Sequence, residues 1–425
     1  MEVYSHLIIL WTILKNWWWL PLPFVFYRHF LFFWKWYQNE KFLGGVNTVV
    51  FEIRIPKEVL KPIKAMEQVF NGFHGVHDVF TWGEKWLEGE IQLGYSLEIA
   101  SIEGEVHFFI RCSDKFKEIL ESNIYSQYPN AEISVVEDYT KLLPPNTPNK
   151  DWDLFGFDFE ATKHSAYPIK NYKYFEDGRE TIEEKRLDPL AGLLDGMATL
   201  GPGEHMWLQM RITPIRDENP WQKEGEEMIN EMVHRDTKKE TKFSPMVKEA
   251  ADVLISGKPP GGVETKEEEE FFLPPEMKLT PGEREAVAAI EEKIGKFGFI
   301  TAIRCLYLGK RDVFFKPKAR IPYGFFKNVS SESMNGLKPY KYTIPKVQWF
   351  LKKRRQYMRK RRIFDRYVRR WPPKFPLDPK AATFVFTADE LATLFHFPGK
   401  SSAPAPTVPR VDAKKGEAPS GLPSE

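Results

Sequence analysis

Apolar and polar residues follow two regular patterns from position 49 onward. VVFEIRI (49–55) alternates strictly, which predicts a strand with one buried face. A stripe of apolar residues at three- and four-residue steps comes next and predicts an amphipathic helix, formed by Val59, Ile63, Met66, Phe70 and Phe73. A strand followed by a helix therefore opens the globular part of the chain.

The same two patterns continue to about position 137. YSLEIAS (95–101) and EVHFFIRC (105–112) flank a short turn and predict a hairpin. Ser113 can cap a second helix, and AEISVVE (131–137) predicts a fourth strand. The order βαββαβ is the ferredoxin-like arrangement, which we assign to residues 41–143.

Prolines interrupt this pattern and mark a boundary after residue 143. Residues 144–204 contain FGFDFEATK and YPIKNYKYF, which predict an accessory strand pair and a linker. The ferredoxin-like pattern then starts again at HMWLQMRIT (205–213). We assign residues 205–398 to a second half.

The second half is heavily interrupted. Residues 214–279 predict a helical insertion that ends near the acidic run KEEEE, a solvated surface excursion. Thr280, Pro281 and Glu283 form a capping box that begins a helix. FITAIRCLYL (299–308) and ATFVF (382–386) predict further strands, so the fold class is α+β with two ferredoxin-like halves.

Residues 1–40 differ from the rest because aromatic and aliphatic side chains dominate them. The run LIILWTILKNWWWLPLPFVFYRHFLFFWKW predicts an N-terminal transmembrane anchor, since a span needs about 20 apolar residues. The anchor residues are Trp17, Trp18, Trp19, Phe24, Phe26, Phe30, Phe32, Phe33, Trp34 and Trp36.

Pro21 and Pro23 leave both one bent span and a re-entrant helical pair open. Arg28, Lys35 and Lys41 follow the apolar run, so the positive-inside tendency predicts an inner-membrane protein whose body faces the cytoplasm. An aromatic arm in a soluble complex is the alternative.

Catalytic and cofactor motifs are not recognisable in the sequence. Cys112 and Cys305 lie in strand-like runs and are expected to be buried, reduced and structural. His74 and His77 near Asp78 lack a third metal ligand at a recognisable spacing, so we interpret them as a helix end and turn. We therefore expect no enzyme activity, no cofactor and no metal.

The charge of the chain is concentrated in WFLKKRRQYMRKRRIFDRYVRRW (349–371). This segment holds eleven basic residues against Asp365, a net charge of +10, whereas the whole chain carries +2. The basic residues are candidate contacts to nucleic acid or phospholipid, and they are Lys352, Lys353, Arg354, Arg355, Arg359, Lys360, Arg361, Arg362, Arg366, Arg369 and Arg370. A structural amphipathic helix is the third interpretation.

Long motifs across the chain resemble one known family. These motifs are FEIRIPKE, AMEQVFNGFHG, DPLAGLLDGMATLGPGEHMWLQMRI, PPEMKLTPGEREAVAAIEEKIGKFGF, FVFTADELATLFHFPG and PRVDAKKGEAPSGLP. They resemble an uncharacterised bacterial membrane-anchored domain that is associated with type IV secretion and with conjugation-type DNA-translocating ATPases of the HerA/FtsK class. In some such proteins the domain lies directly in front of the ATPase.

That resemblance implies a function as an accessory or docking subunit of a translocation ATPase. The chain has no Walker motifs, so the P-loop ATPase would be a separate polypeptide. Residues 399–425 are rich in Pro, Ala and Ser and predict a disordered tail. A membrane-tethered nucleic-acid-binding protein that contacts DNA through the basic helix, and an inner-membrane structural scaffold, are the alternatives.

Overall fold

The computed structural model describes residues 11, 15, 16, 19, 22–56, 61–175, 188–215, 221–233, 279–371 and 382–398. The strands are β1 Thr48–Arg54, β2 Tyr95–Ile102, β3 Glu105–Ser113, β4 Glu132–Val136, β5 Trp152–Ala161, β6 Glu204–Pro214, β7 Gly298–Lys310, β8 Leu337–Pro339 and β9 Phe384–Thr387. The helices are α1 Leu22–Gly45, α2 Ile63–His74, α3 Lys117–Gln127, α4 Ala191–Ala198, α5 Trp221–Met232, α6 Pro281–Ile294, α7 Ile321–Asn328, α8 Lys352–Arg369 and α9 Ala388–Leu394. All nine strands join one antiparallel sheet, which makes the architecture α+β.

The first four strands have the order β4-β1-β3-β2. Phe51 of β1 lies opposite Ile110 of β3 and Val135 of β4, so the alternating strand occupies an interior position. α2 connects β1 to β2 and buries Met66 and Phe70, two residues of its predicted apolar stripe. This strand order is that of a βαββαβ unit, in which a helix links strands that are not neighbours.

The next four strands repeat this order as β8-β5-β7-β6, and β6 pairs with β2 so that the sheet is continuous. The strands predicted for the second half, β6, β7 and β9, all form, but β5 and β8 were not assigned to it. β5, predicted as an accessory strand, lies between β7 and β8, while YPIKNYKYF forms only a short helical turn at residues 172–174. The reason is that the partners of β5 lie far away in sequence, where local patterns carry no information about pairing.

α5 and α6 form a helical pair beside the sheet. They contact each other through a small cluster that contains Ile229 and Ile290. The predicted capping box at the start of α6 is confirmed, because the Thr280 side chain accepts from the Glu283 amide and the Glu283 carboxylate accepts from the Thr280 amide. Residues 216–220 and 234–278, which include the predicted acidic excursion, lie outside the described residues.

The larger core lies on one face of the sheet, under α2, α3, α4, α7 and α9. α9 belongs to the TADELATLF stretch, and it packs against α2 with Leu391 and Leu394 fully buried. Its Glu390 pairs with the buried Lys293 of α6 at 3.0 Å. The other face carries a second core that includes residues of α8.

The predicted transmembrane anchor is wrong for the described residues. None of the helices that the structure describes is both long and apolar enough to cross a membrane. α1 is 24 residues long, but it contains Arg28, Lys35, Glu40 and Lys41, and charged side chains in a membrane interior are costly. Of the predicted anchor residues, Trp17 and Trp18 lie outside the described part of the chain.

Cys112 on β3 and Cys305 on β7 are buried free thiols, as the strand-like sequence around each predicted. Burial raises the pKa of the Cys112 thiol to about 12. Both thiols therefore stay protonated at neutral pH, which makes them weak nucleophiles.

Candidate functional site

α8 lies across the face of the sheet opposite the larger core. Its C-terminal half buries Ile363, Phe364 and Tyr367, which pack on Trp207 and Leu306 from the centre of the sheet. The spacing of these three residues places them on one side of a helix, so the segment docks by an apolar stripe. This half of the predicted basic helix is structural.

Arg370 ends the helix in a left-handed backbone conformation with φ of 55°. Its guanidinium is buried and binds both carboxylates within reach, with Nε 3.0 Å from Glu98 Oε1 and Nη1 2.5 Å from Asp138 Oδ2. Burial opposes ionisation of Glu98, but Arg370, Ser96 and Tyr139 together outweigh it and lower the pKa of that carboxyl. Arg370 is therefore a buried ion-pair partner and not an exposed contact.

The polar groups beneath the end of α8 form one hydrogen-bonded cluster. The Tyr139 hydroxyl donates to Glu98 at 2.7 Å and lies 2.7 Å from the Tyr367 hydroxyl. The Gln209 amide donates to Glu98 at 3.0 Å and to the Tyr367 carbonyl at 3.2 Å. This cluster joins α8 to both sets of four strands, because Glu98 lies on β2 and Gln209 lies opposite it on β6.

Three more of the predicted contact residues have partners within the chain. Lys360 binds Asp153 at 2.6 Å, and Arg359 donates to the Ile344 carbonyl at 2.8 Å. Arg369 binds Asp365 at 3.1 Å and stacks over the Trp371 ring. Arg366 is half-buried, and burial lowers its pKa. Lys360 and Arg359 therefore bind α8 to other parts of the chain, whereas the Arg369–Asp365 pair lies within the helix.

Besides Arg366, six predicted contact residues make no side-chain hydrogen bond or ion pair with any residue that the structure describes. They are Lys352, Lys353, Arg354, Arg355, Arg361 and Arg362. The first four occupy the first turn of α8, where the positive end of the helix dipole disfavours cations. Such a helix start would be stabilised by an external anion.

Large exposed apolar side chains stand directly before and among these cations. Trp349 and Phe350 are each 79% exposed, and Tyr357 is 50% exposed. We call Trp349, Phe350, Lys352, Lys353, Arg354, Arg355 and Tyr357 the basic–aromatic surface. The sequence already placed aromatic residues here, but only the structure separates this exposed turn from the buried half of the helix.

The predicted anchor residues in α1 also have exposed side chains. Trp34 donates to the Trp86 carbonyl at 2.8 Å and Lys35 lies over the Trp86 ring, so α1 contacts the segment 84–88. Trp36 is half-buried, and the Phe24 side chain is not described. The exposed predicted anchor residues are Trp19, which precedes α1, and Phe26, Phe30, Phe32, Phe33 and Trp34 within it.

The two histidines at the end of α2 stack on each other with ring centroids 6.1 Å apart, and His74 also stacks on Phe297. In the described ranges, no group of three or more His, Cys, Asp or Glu side chains is placed to hold a metal ion.

Sequence reasoning missed two arginines on the face of the sheet that α8 covers. Arg111 of β3 and Arg211 of β6 lie on either side of Ser96 of β2. Each stands in an ordinary strand pattern, and only the strand register brings them together. No local signal could have found this pair.

Comparison with known proteins gives a family and no activity. A search of the curated proteins found no significant match. One family model, described as a domain of unknown function (DUF8128), matches residues 40–407 and so covers most of the chain. That description names no substrate, partner or location. The match spans the whole nine-stranded sheet and the basic helix, and on this basis the chain belongs to the DUF8128 family.

Proposed function

We propose that this protein is a non-catalytic accessory subunit that binds the surface of an anionic membrane and docks a separate translocation ATPase there. The observation that carries the membrane part is the basic–aromatic surface. The ATPase part rests on the sequence resemblance to domains that accompany such motors.

The chemistry of this surface fits a phospholipid interface. Aromatic rings partition into the headgroup region, and nearby lysines and arginines attract anionic headgroups with about 1 kcal/mol each. Trp349 and Phe350 protrude one residue before four consecutive basic residues, with the exposed Leu351 between, so ring insertion and headgroup contact can occur together. Exposed aromatic side chains of α1, such as Phe30 and Phe33, offer a second interfacial contact.

A peripheral attachment also suits the rest of the fold. The buried stripe of α8 and the ion pairs of Arg370 fix the helix to the sheet, so the basic–aromatic surface is presented on a rigid body. Such a body can hold a partner at a constant distance from the bilayer without any catalytic group.

Vesicle flotation tests the membrane part. The full chain is expected to float with phosphatidylcholine vesicles that contain phosphatidylglycerol, and to float poorly with phosphatidylcholine alone. The variant W349A/F350A should lose most of this binding, whereas Phe315→Ala, which truncates another exposed aromatic, should bind like the wild type. Equal flotation of all three proteins would contradict the proposal.

Replacing Lys352, Lys353, Arg354 and Arg355 by Gln should weaken vesicle binding at least about tenfold, and added salt should have the same effect on the wild type. If single-stranded DNA instead displaces the chain from vesicles and W349A/F350A abolishes DNA binding, the nucleic-acid alternative replaces the membrane proposal, because exposed rings also stack on bases.

The ATPase part is tested separately. Affinity purification of the full chain from gently solubilised native membranes should recover a P-loop ATPase, identified by mass spectrometry. Recovery of the chain without any ATPase, at a detection level that finds other membrane partners, would refute docking but would leave vesicle binding unaffected.

A further inference from the structure

Beyond the basic–aromatic surface, a second cationic site lies on the sheet itself. The register aligns Val50, Arg111, Ser96, Arg211 and Ala302 in one row across β1, β3, β2, β6 and β7. The next row on the same face of the sheet contains Glu98 and Gln209, and the C-terminal end of α8 contacts both residues. The arginine row thus lies just beyond the C-terminal end of α8.

The two arginines are placed to act on one ligand. They are separated by a single strand, which puts their backbones about 10 Å apart, and both project from the same face of the sheet. The Arg111 guanidinium donates to Thr48 on β1, so the two guanidinium groups can meet one ligand above the short Ser96 side chain once Arg111 exchanges that bond for the ligand. Planar guanidinium forks bind phosphate oxygens in pairs, so this arrangement suits a phosphate group.

The charges around this row do not balance. Six arginines and four acids act on one another around this row, a local excess of two positive charges, and they are Arg111, Arg211, Arg304, Arg362, Arg366, Arg370, Glu98, Asp138, Asp158 and Asp365. Every acid already has an arginine partner, since Arg370 binds Glu98 and Asp138, Arg304 binds Asp158 at 2.7 Å, and Arg369, outside this set, binds Asp365 at 3.1 Å. The surplus falls on the arginines that have no carboxylate.

Arg211 is the side chain that this surplus affects most. It is half-buried, and among the described residues its side chain makes no hydrogen bond and no ion pair. Burial, with the nearby Arg304 and Arg111, lowers its pKa to about 10, so it remains charged at neutral pH. Arg111 donates only to the Thr48 hydroxyl, at 2.7 Å. Two half-buried cations without a carboxylate partner repel each other, and a bound anion would offset that repulsion.

We propose that Arg111 and Arg211 form a binding site for a phosphate group, carried by a small solute or by a lipid headgroup. The row is accessible from its outer side, where the neighbouring Thr213 is half-buried and Ile300 is exposed. The site is separate from the basic–aromatic surface, so it stands or falls independently of the proposed function.

Calorimetric titration of the full chain with inorganic phosphate and with pyrophosphate, at constant ionic strength, tests the site. The wild type should bind, and Arg211→Met should bind at least tenfold more weakly. Arg320→Met removes the same charge from an exposed position outside both cationic surfaces and should bind phosphate like the wild type. Equal binding by wild type and Arg211→Met, or no binding by the wild type, would overturn the proposal.

Thermal unfolding in phosphate-free buffer adds a readout that a structural role would move in the opposite direction. If Arg211 serves to bind a ligand, the Arg211→Met variant should be as stable as the wild type or more stable in this buffer, because the substitution removes a cation without a partner. Phosphate should then raise the Tm of the wild type only. A lower Tm of this variant in phosphate-free buffer would identify Arg211 as structural and refute the site.

Arg111→Met repeats the test in case the first variant does not fold, with the same expected loss of binding. Short-chain phosphatidic acid, used as monomers, distinguishes the two sources of phosphate: tighter binding than that of inorganic phosphate assigns the lipid headgroup, and weaker binding assigns the free solute.

Discussion

The buried ion pairs of Arg370 are the contact whose removal we expect to destabilise the fold most clearly. Arg370→Met keeps an unbranched apolar stem and deletes the guanidinium. Glu98, which is 0% exposed, then loses two hydrogen bonds of 3.0 and 3.1 Å, and Asp138 loses its bonds to the same group.

The size of the effect follows from burial. Removing one partner of a buried ion pair costs about 3–5 kcal/mol because the remaining charge is uncompensated. Ser96, Tyr139 and Gln209 still donate to Glu98, at distances of 2.5, 2.7 and 3.0 Å, which places the expected loss near the lower end of that range. We expect the free energy of unfolding to fall by about 3 kcal/mol at pH 7.

The pH dependence identifies the cause. In the wild type the pKa of Glu98 lies below its ordinary value of 4.5, so its ionised form stabilises the fold above that pH and this contribution is lost as the pH falls through the lowered pKa. In the variant, burial is no longer opposed by Arg370 and the pKa of Glu98 should rise above 4.5. Protonation then relieves the penalty, so the difference between variant and wild type should shrink from pH 7 to pH 4.5.

Urea unfolding followed by tryptophan fluorescence measures both effects. The double variant E98Q/R370M is the control, because a neutral amide at position 98 needs no counter-ion and the double variant should be more stable than Arg370→Met alone. A loss below about 1 kcal/mol, or a penalty that is equal at pH 7 and pH 4.5, would refute the assignment of Arg370 as a buried structural cation.

Three further predictions concern the core. Leu391→Ala in the fully buried α9 should lower the free energy of unfolding by about 2–5 kcal/mol in urea titrations, and a loss below about 1 kcal/mol would show that α9 is not part of the core. Gly156→Ala should destabilise the sheet by about 1–3 kcal/mol, because a Cβ there would stand 2.3 Å from the Leu306 side chain and 2.6 Å from the Cys305 carbonyl. Gly192→Ala in α4 is the control. A Cβ there would meet nothing within 4 Å, so this variant should be neutral or stabilising in the same titration. Cys112 and Cys305 should react with a thiol reagent only after unfolding, and rapid reaction of the native chain would contradict their burial.

Local patterns were reliable where the interaction itself is local. The alternation of β1 and the Thr280–Glu283 capping box depend on residues a few positions apart, and both appear in the structure. The transmembrane anchor was inferred from composition, which does not weigh the charged residues of α1 against its apolar ones. The tail at 399–425 lies outside the described residues, so its predicted disorder stays a prediction.

The basic segment shows that the sequence can locate a candidate site and still assign to it residues that have a structural role instead. Its charge and its aromatic residues are sequence properties, and they pointed to a binding surface. Which cations are already paired depends on Asp138, Asp153 and Glu98, residues more than 200 positions away from the arginine or lysine that each one binds. Only packing could assign Lys360 and Arg370 to the structure and leave Lys352–Arg355 exposed.

Residue patterns along the chain were sufficient to predict the helical or strand character of β1–β4, β6, β7 and α6, the amphipathic stripe of α8 and the concentration of positive charge. Tertiary structure alone decided that β5 is an interior strand, that two four-stranded sets join through β2 and β6, and that Arg111 and Arg211 share a row. Side-chain periodicity is set by neighbours along the backbone, whereas strand order and charge pairing depend on contacts between residues that are distant in sequence.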